Sequence, residues 1–165
     1  MAKSSGADPT MPMLLRTARR TYAAGIRAEL VAAGLGDLPR LNGQYVIRAL
    51  MYSNPPLSEI ARELAVTKQA ASKLIDLLVV RGFLERAPDS ADRRRNTLTL
   101  TDRGRDAAKV IDVGTRHVDQ ALAGALSPRQ LAGLRAGLDV LVELYPEKLA
   151  KLEAIESDAF DNADA

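Results

Sequence analysis

The chain has 165 residues, of which 47% are hydrophobic, 27% charged and only 4% aromatic, so it reads as one globular domain whose core is aliphatic. The lack of cysteine excludes disulfides, thiolate metal sites and thiol redox chemistry, and no apolar run approaches the roughly 18 residues a membrane span requires. Formal net charge is only +2, but Arg62 to Arg105 holds ten Lys or Arg against six Asp or Glu, while Glu143 to Ala165 holds two against seven, giving a basic middle and an acidic tail.

The polar start, Met1 to Pro12, has no signal-peptide stretch, so a cytoplasmic protein is expected. Leu15, Ala18, Tyr22, Ile26 and Leu30 recur near three-four spacing with Arg16, Arg19, Arg20 and Arg27 between them, which predicts an amphipathic helix over Leu14 to Val31. Gly34, Gly36 and Pro39 interrupt it. A second helix from Asn42 stops near Ser53, because Pro55 and Pro56 cannot continue it. Ser58 then stands where an N-cap belongs, ahead of Ile60, Ala61 and Leu64, and Thr67 repeats the arrangement ahead of Ala70, Ala71, Leu74, Ile75 and Leu78. Two short helices joined through Leu64-Ala65-Val66-Thr67 form a helix-turn-helix. Gly82 is the C-cap glycine of the second. Phe83-Leu84-Glu85-Arg86 begins a strand, the tip Pro88 to Arg95 is polar, and Leu98 and Leu100 alternate with Thr97, Thr99 and Thr101 in a return strand, so that a hairpin wing follows. Thr101-Asp102 opens a further helix reaching Leu126, and Ser127-Pro128-Arg129-Gln130 restarts the chain with serine as cap, proline in the first turn and glutamine returning the capping bond. The last helix carries Leu131, Leu134, Leu138, Leu141 and Leu149; Pro146 is expected to kink or end it, and the residues from Ser157 read as a frayed tail. The expected fold is mainly α with a small β-hairpin wing (α+β), a single domain over 1–165.

The major groove of DNA admits one helix, so a reader needs polar hydrogen-bonding groups in the first turns of an exposed helix. Thr67, Lys68, Gln69, Ser72 and Lys73 supply them. Gln69 can pair bidentately with adenine, Lys68 and Lys73 can reach guanine or phosphate, and Thr67 or Ser72 can hold a phosphate oxygen at the helix start. Ala70 and Ala71 would permit close approach. The tip adds Arg93, Arg94 and Arg95, three guanidinium groups that repel one another and suit the enhanced negative potential of a narrow minor groove.

Asp92-Arg93-Arg94 followed by Leu98-Thr99-Leu100-Thr101-Asp102-Arg103-Gly104 resembles the D-x-R wing and L-x-L-T-x-x-G signature of MarR-family transcriptional regulators. The resemblance extends back through Leu57-Ser58-Glu59-Ile60-Ala61, Leu64, Thr67, Ser72, Leu74-Ile75, Leu78 and Arg81 to Arg86, so motifs cover about Leu38 to Arg105. It implies a winged helix-turn-helix over residues 42–101, flanked by dimerisation helices at 14–35 and 102–155. It also implies that Arg94 enters the minor groove, that Asp92 orients its fork, and that Thr67, Lys68, Gln69, Ser72 and Lys73 face the major groove, with Ser58, Ala71, Arg93 and Arg95 counted among the DNA-facing residues. A pseudo-palindromic operator, a homodimer and a repressor controlled by a lipophilic or phenolic effector follow from the same resemblance. Gly43 departs from it, standing at or near a position where the family has an aromatic residue, and Tyr45 is the candidate to replace it.

Dimerisation has support of its own, since Val140, Leu144 and Leu152 lie off the Leu131, Leu134, Leu138 and Leu141 stripe and leave more apolar surface than a small core covers. His117 is the only histidine, so no metal site can be completed around it, and Met11, Met13 and Tyr22 read as packing. Neither a nucleophile-base-orienter set nor a phosphate or dinucleotide loop is present, and neither enzyme chemistry nor a cofactor is expected. Two other readings stand beside the regulator: a DNA-binding protein without an effector, and a helical interaction or enzyme module whose basic hairpin binds an acidic partner.

Overall fold

The computed structural model describes the backbone of residues 8–40, 42–53, 55–88 and 96–161, and the side chains of these except 87–88, 96 and 145–161. Among the described residues there are six helices and one antiparallel hairpin, in the order α1 (Met11–Ala32), α2 (Asn42–Tyr52), α3 (Leu57–Glu63), α4 (Lys68–Val80), β1 (Leu84–Pro88), β2 (Asn96–Leu100), α5 (Asp102–Ala125) and α6 (Pro128–Asp161). The chain divides into two compact units, Met1–Asp119 and Gln120–Ala165.

In the first unit, α1 begins three residues before the expected Leu14, because Pro12 supplies a preset φ in the first turn. One face of α1 contributes Ile26 and Leu30 to a core completed by Leu38, Val46, Ile47, Ile60, Leu78, Phe83, Leu84 and Ile111. Against α1 packs α5, with no room for a side chain at Gly114: a Cβ there would lie 2.6 Å from the Cα of Ile26. His117 on α5 pairs with the Glu29 carboxylate of α1 at 3.0 Å.

The helix-turn-helix forms as expected, with one correction. Pro56, not Ser58, is the N-cap of α3, since its carbonyl accepts the N–H groups of Glu59 and Ile60 at 3.0 and 3.1 Å; Ser58 lies inside the first turn, exposed. At the other end Ala65 takes the left-handed conformation, φ 52°, while its N–H bonds to Arg62 and that of Val66 to Ala61. A left-handed alanine costs about 1–2 kcal/mol, so this turn is held by its surroundings and not by its own preference. Gly82 ends α4 in the same geometry without that cost, at φ 71°, with Phe83 N–H on the Leu78 carbonyl at 2.9 Å.

The hairpin pairs Leu84 with Leu100 and Arg86 with Leu98, which brings Thr101 back to the end of α4. There its hydroxyl donates to the Gly82 carbonyl at 2.6 Å and accepts from the Gly104 N–H at 3.0 Å, capping α5. Only glycine fits at 104, because a Cβ would stand 2.1 Å from the Phe83 carbonyl oxygen. The L-x-L-T-x-x-G pattern thus reduces to an apolar strand face, a cap and a close approach.

The second unit contains α6, a helix of 34 residues. Its start is the expected reciprocal cap: Gln130 Oε1 accepts from the Ser127 N–H at 3.0 Å, and the Ser127 hydroxyl accepts from the Gln130 N–H at 3.4 Å. Instead of ending at Pro146, α6 runs on to Asp161, four residues past the Ser157 at which fraying was expected. Leu134, Leu138, Val140, Leu141, Val142 and Leu144 are exposed along it.

Candidate nucleic-acid interface

Helix α4 begins with a built cap, the Thr67 hydroxyl accepting from the Ala70 N–H at 3.2 Å. Each helical position turns by roughly 100°, so Lys68, Ser72, Gln69 and Lys73 span an arc of about 140°. Ala71, Ile75 and Leu78 lie outside that arc and are buried. Lys68, Gln69 and Lys73 are exposed and Ser72 is half-buried. One expected DNA-facing residue is wrong: Ala71 is 0% exposed and belongs to the core, because it lies about 60° outside the arc, on the side of Ile75 and Leu78. The exposed Ala70 is the small residue left for close approach.

Ser58 is exposed on α3, off the α4 face. Asp92, Arg93, Arg94 and Arg95 lie outside the described residues; the strands leading to them are paired as far as Pro88 and Asn96.

Sequence reasoning missed two charged residues here. Asp76 continues the outward arc of α4, seven positions after Gln69, and would oppose a phosphate backbone if left alone. Arg86 of β1 forms an ion pair with it, joining reader helix to wing strand. The spacing of Asp76 was visible in the sequence; its partner was not.

Beside the reader, α1, α2 and α5 enclose an open cavity of about 520 Å³, lined by Arg19, Gln44, Tyr45, Arg48, Tyr52 and Ile111 among others. The Tyr52 hydroxyl donates to the Asp112 carboxylate at 2.7 Å, and Arg48 lies 3.5 Å from the same carboxylate. The hydrogen bond to Asp112 and its negative charge raise the Tyr52 pKa above 10.0, whereas burial chiefly raises that of Tyr45, helped by Glu63 and Glu59. Tyr45 therefore lines the cavity as an aromatic, while Gly43 packs on Pro39. Met11 and Met13 are exposed. Among the described residues no cluster of His, Asp or Glu could hold a metal ion, and no helix is long and apolar enough to cross a membrane.

A capped reader helix preceded by a short helix across a tight turn, and followed by a two-stranded hairpin, defines a winged helix-turn-helix protein. A model of the MarR family matches residues 45–95, the segment that contains α3, α4 and the first wing strand. Over 94 residues the chain is 27% identical to the uncharacterized HTH-type transcriptional regulator YybA of Bacillus subtilis, a match covering 55% of this chain and 63% of that relative. Two solved structures share the fold. The MarR family protein Rv2887 of Mycobacterium tuberculosis, in complex with p-aminosalicylic acid, has TM-score 0.58 and 24% identity over 81% of this chain and 98% of its own. FabT of Streptococcus pneumoniae, in complex with DNA, has TM-score 0.69 and 19% identity over 83% and 96%. Over residues 45–95 the chain is thus similar to MarR-family proteins, and the solved structures share its winged helix-turn-helix fold.

Proposed function

We propose that this protein is a sequence-specific DNA-binding repressor that acts as a homodimer on a pseudo-palindromic operator. The observation that carries the reading is the division of α4, whose buried face is spent on the core and whose capped outward face offers Lys68, Gln69, Ser72 and Lys73 beside the wing. The complex of the structural relative FabT with DNA supports the same use of the fold. Exposed apolar side chains on α1 (Met11, Met13, Leu14, Leu15) and α6 support a dimer, since a soluble monomer rarely leaves so many uncovered. A two-fold protein presents two reader helices about one helical turn apart, which sets the half-site spacing.

The α1–α2–α5 cavity is the proposed effector site. Arg19 and Arg48 offer charge to a carboxylate, Tyr45 and Tyr52 offer rings, and the p-aminosalicylic acid held by Rv2887 is of that chemical class. The experiment is selection from random duplexes, followed by salt-dependent binding of wild type and Gln69→Ala with and without p-aminosalicylate. A palindromic consensus is expected, with base preference relaxed at one position per half-site in Gln69→Ala, costing roughly 1–3 kcal/mol. Enrichment of no sequence would refute the reading.

A further inference from the structure

The two ends of α4 are held very differently. At its start the polar contact is the Thr67 cap, made within the helix's own first turn, and packing there rests on the small buried Ala71. At its end four residues converge, two of them, Arg103 and Asp37, from elsewhere in the chain. The Arg103 guanidinium of α5 lies 4.3 Å from the ring centroid of the fully buried Phe83, donates to the Arg81 carbonyl, and donates to the Asp37 carboxylate at 2.7 Å. Arg81, the C-cap of α4, in turn donates to the Asp37 carbonyl. Asp37 belongs to the connection between α1 and α2, so this knot ties that connection, the reader helix and α5 at one point.

An exposed ion pair alone would mean little, and Arg103 and Asp37 are 37% and 44% exposed. The knot differs because one planar fork meets a ring face, a carbonyl and a carboxylate at once, which a lysine ammonium cannot do. It also sits at a helix C-terminus, where unpaired carbonyls and the helix dipole favour a cation. The consequence lies at the other end. Helix α4 has 13 residues and is therefore about 20 Å long, so a 10° tilt about its clamped end moves Lys68 and Gln69 by about 3 Å. Paired hydrogen bonds to a base edge tolerate roughly 0.5 Å.

From this geometry we infer that Arg103 and Asp37 are positioning residues which set the tilt of the recognition helix and so its sequence discrimination, without touching DNA. The inference rests on the DNA-reading function proposed above. Asp37 makes the tilt answer to the α1–α2 connection, so a displacement of that connection moves the reader.

The test compares wild type, Arg103→Lys and Asp37→Asn on the selected operator and on a scrambled duplex, at a temperature where circular dichroism shows each variant folded. Arg103→Lys keeps the charge. It should lower the operator-to-scrambled affinity ratio about tenfold while leaving scrambled-duplex affinity and its salt slope unchanged, since phosphate contacts are insensitive to small tilts. Asp37→Asn should lower the ratio by a smaller factor of the same sign, and it carries the test alone if Arg103→Lys does not fold. A ratio equal to wild type in the folded variants, whatever the melting temperature does, overturns the inference. A wild type that selects no operator instead overturns the DNA-reading function, and this inference with it.

Discussion

Replacing Gly104 with alanine probes the junction on which the reader is mounted. The added Cβ would stand 2.1 Å from the Phe83 carbonyl oxygen and 3.1 Å from Leu100 Cδ2, whereas a carbon and an oxygen come no closer than about 3.3 Å. Something must therefore move by more than about 1 Å. Phe83 is poorly placed to yield, because its N–H is bonded to Leu78 at 2.9 Å and its carbonyl accepts from the Thr101 N–H and hydroxyl, both at 3.2 Å. Retreat of α5 instead breaks two donations from Thr101, that of its N–H and that of its one hydroxyl proton, which is shared between the Phe83 and Gly82 carbonyls at 3.2 and 2.6 Å. Each is worth about 1 kcal/mol, and forcing apart a packed core adds about 1–3 kcal/mol. Against this, alanine gains about 1 kcal/mol over glycine within a helix. The expected net loss is about 2–4 kcal/mol, read by urea unfolding at a single fixed protein concentration, since the midpoint of any oligomer depends on it. A loss below about 1 kcal/mol would refute the assignment of Gly104 as a steric requirement.

Ala65→Gly should raise stability, by about 0.5–1 kcal/mol, because it removes left-handed strain at φ 52° that outweighs the extra entropy of glycine in the unfolded chain; a lower melting temperature would show the turn to be unstrained. Asp112→Asn should return Tyr52 toward the ordinary tyrosine value of 10.0 in a high-pH ultraviolet titration. A folded pKa raised above the unfolded one means that stability is present at lower pH and lost as pH climbs through the folded value, so wild type should lose more than Asp112→Asn above pH 10.0; identical titrations would contradict the pairing. Arg94→Ala should weaken binding and flatten preference for A·T-rich flanks, whereas Arg93→Ala should weaken all duplexes alike and reduce the salt slope by up to about 0.9; matching behaviour of the two would make the tip an electrostatic anchor only.

Local chemistry was legible in the sequence wherever a residue acts on its immediate neighbours. Thr67 caps α4, Gly82 closes it and Ser127 with Gln130 opens α6, each within four positions. Ser58 was misread because the same signal was pre-empted by a backbone group: the Pro56 carbonyl already accepts the first N–H groups of α3. Ala71 was misread because Ala70 and Ala71 are chemically identical and differ only by one step of rotation, which puts one outside and the other in the core. The pairings of Asp76 with Arg86 and Asp37 with Arg103 span 10 and 66 residues, and no spacing rule encodes contacts that tertiary folding creates.

Those long-range contacts divide the reader into parts with different consequences. The outward residues Lys68, Gln69, Ser72 and Lys73 lie outside the hydrophobic core, so changing them should leave the helix where it is and alter which bases it prefers. Ala71, Ile75 and Leu78 decide whether the helix is docked at all. Arg103 and Asp37 act on a third quantity, the angle at which a docked helix leaves its support. Since a changed angle displaces every outward group together, their substitution should weaken discrimination at all positions of the half-site at once, whereas Gln69→Ala relaxes one. Selection profiles can therefore separate support from readout even where single affinities fall by the same factor.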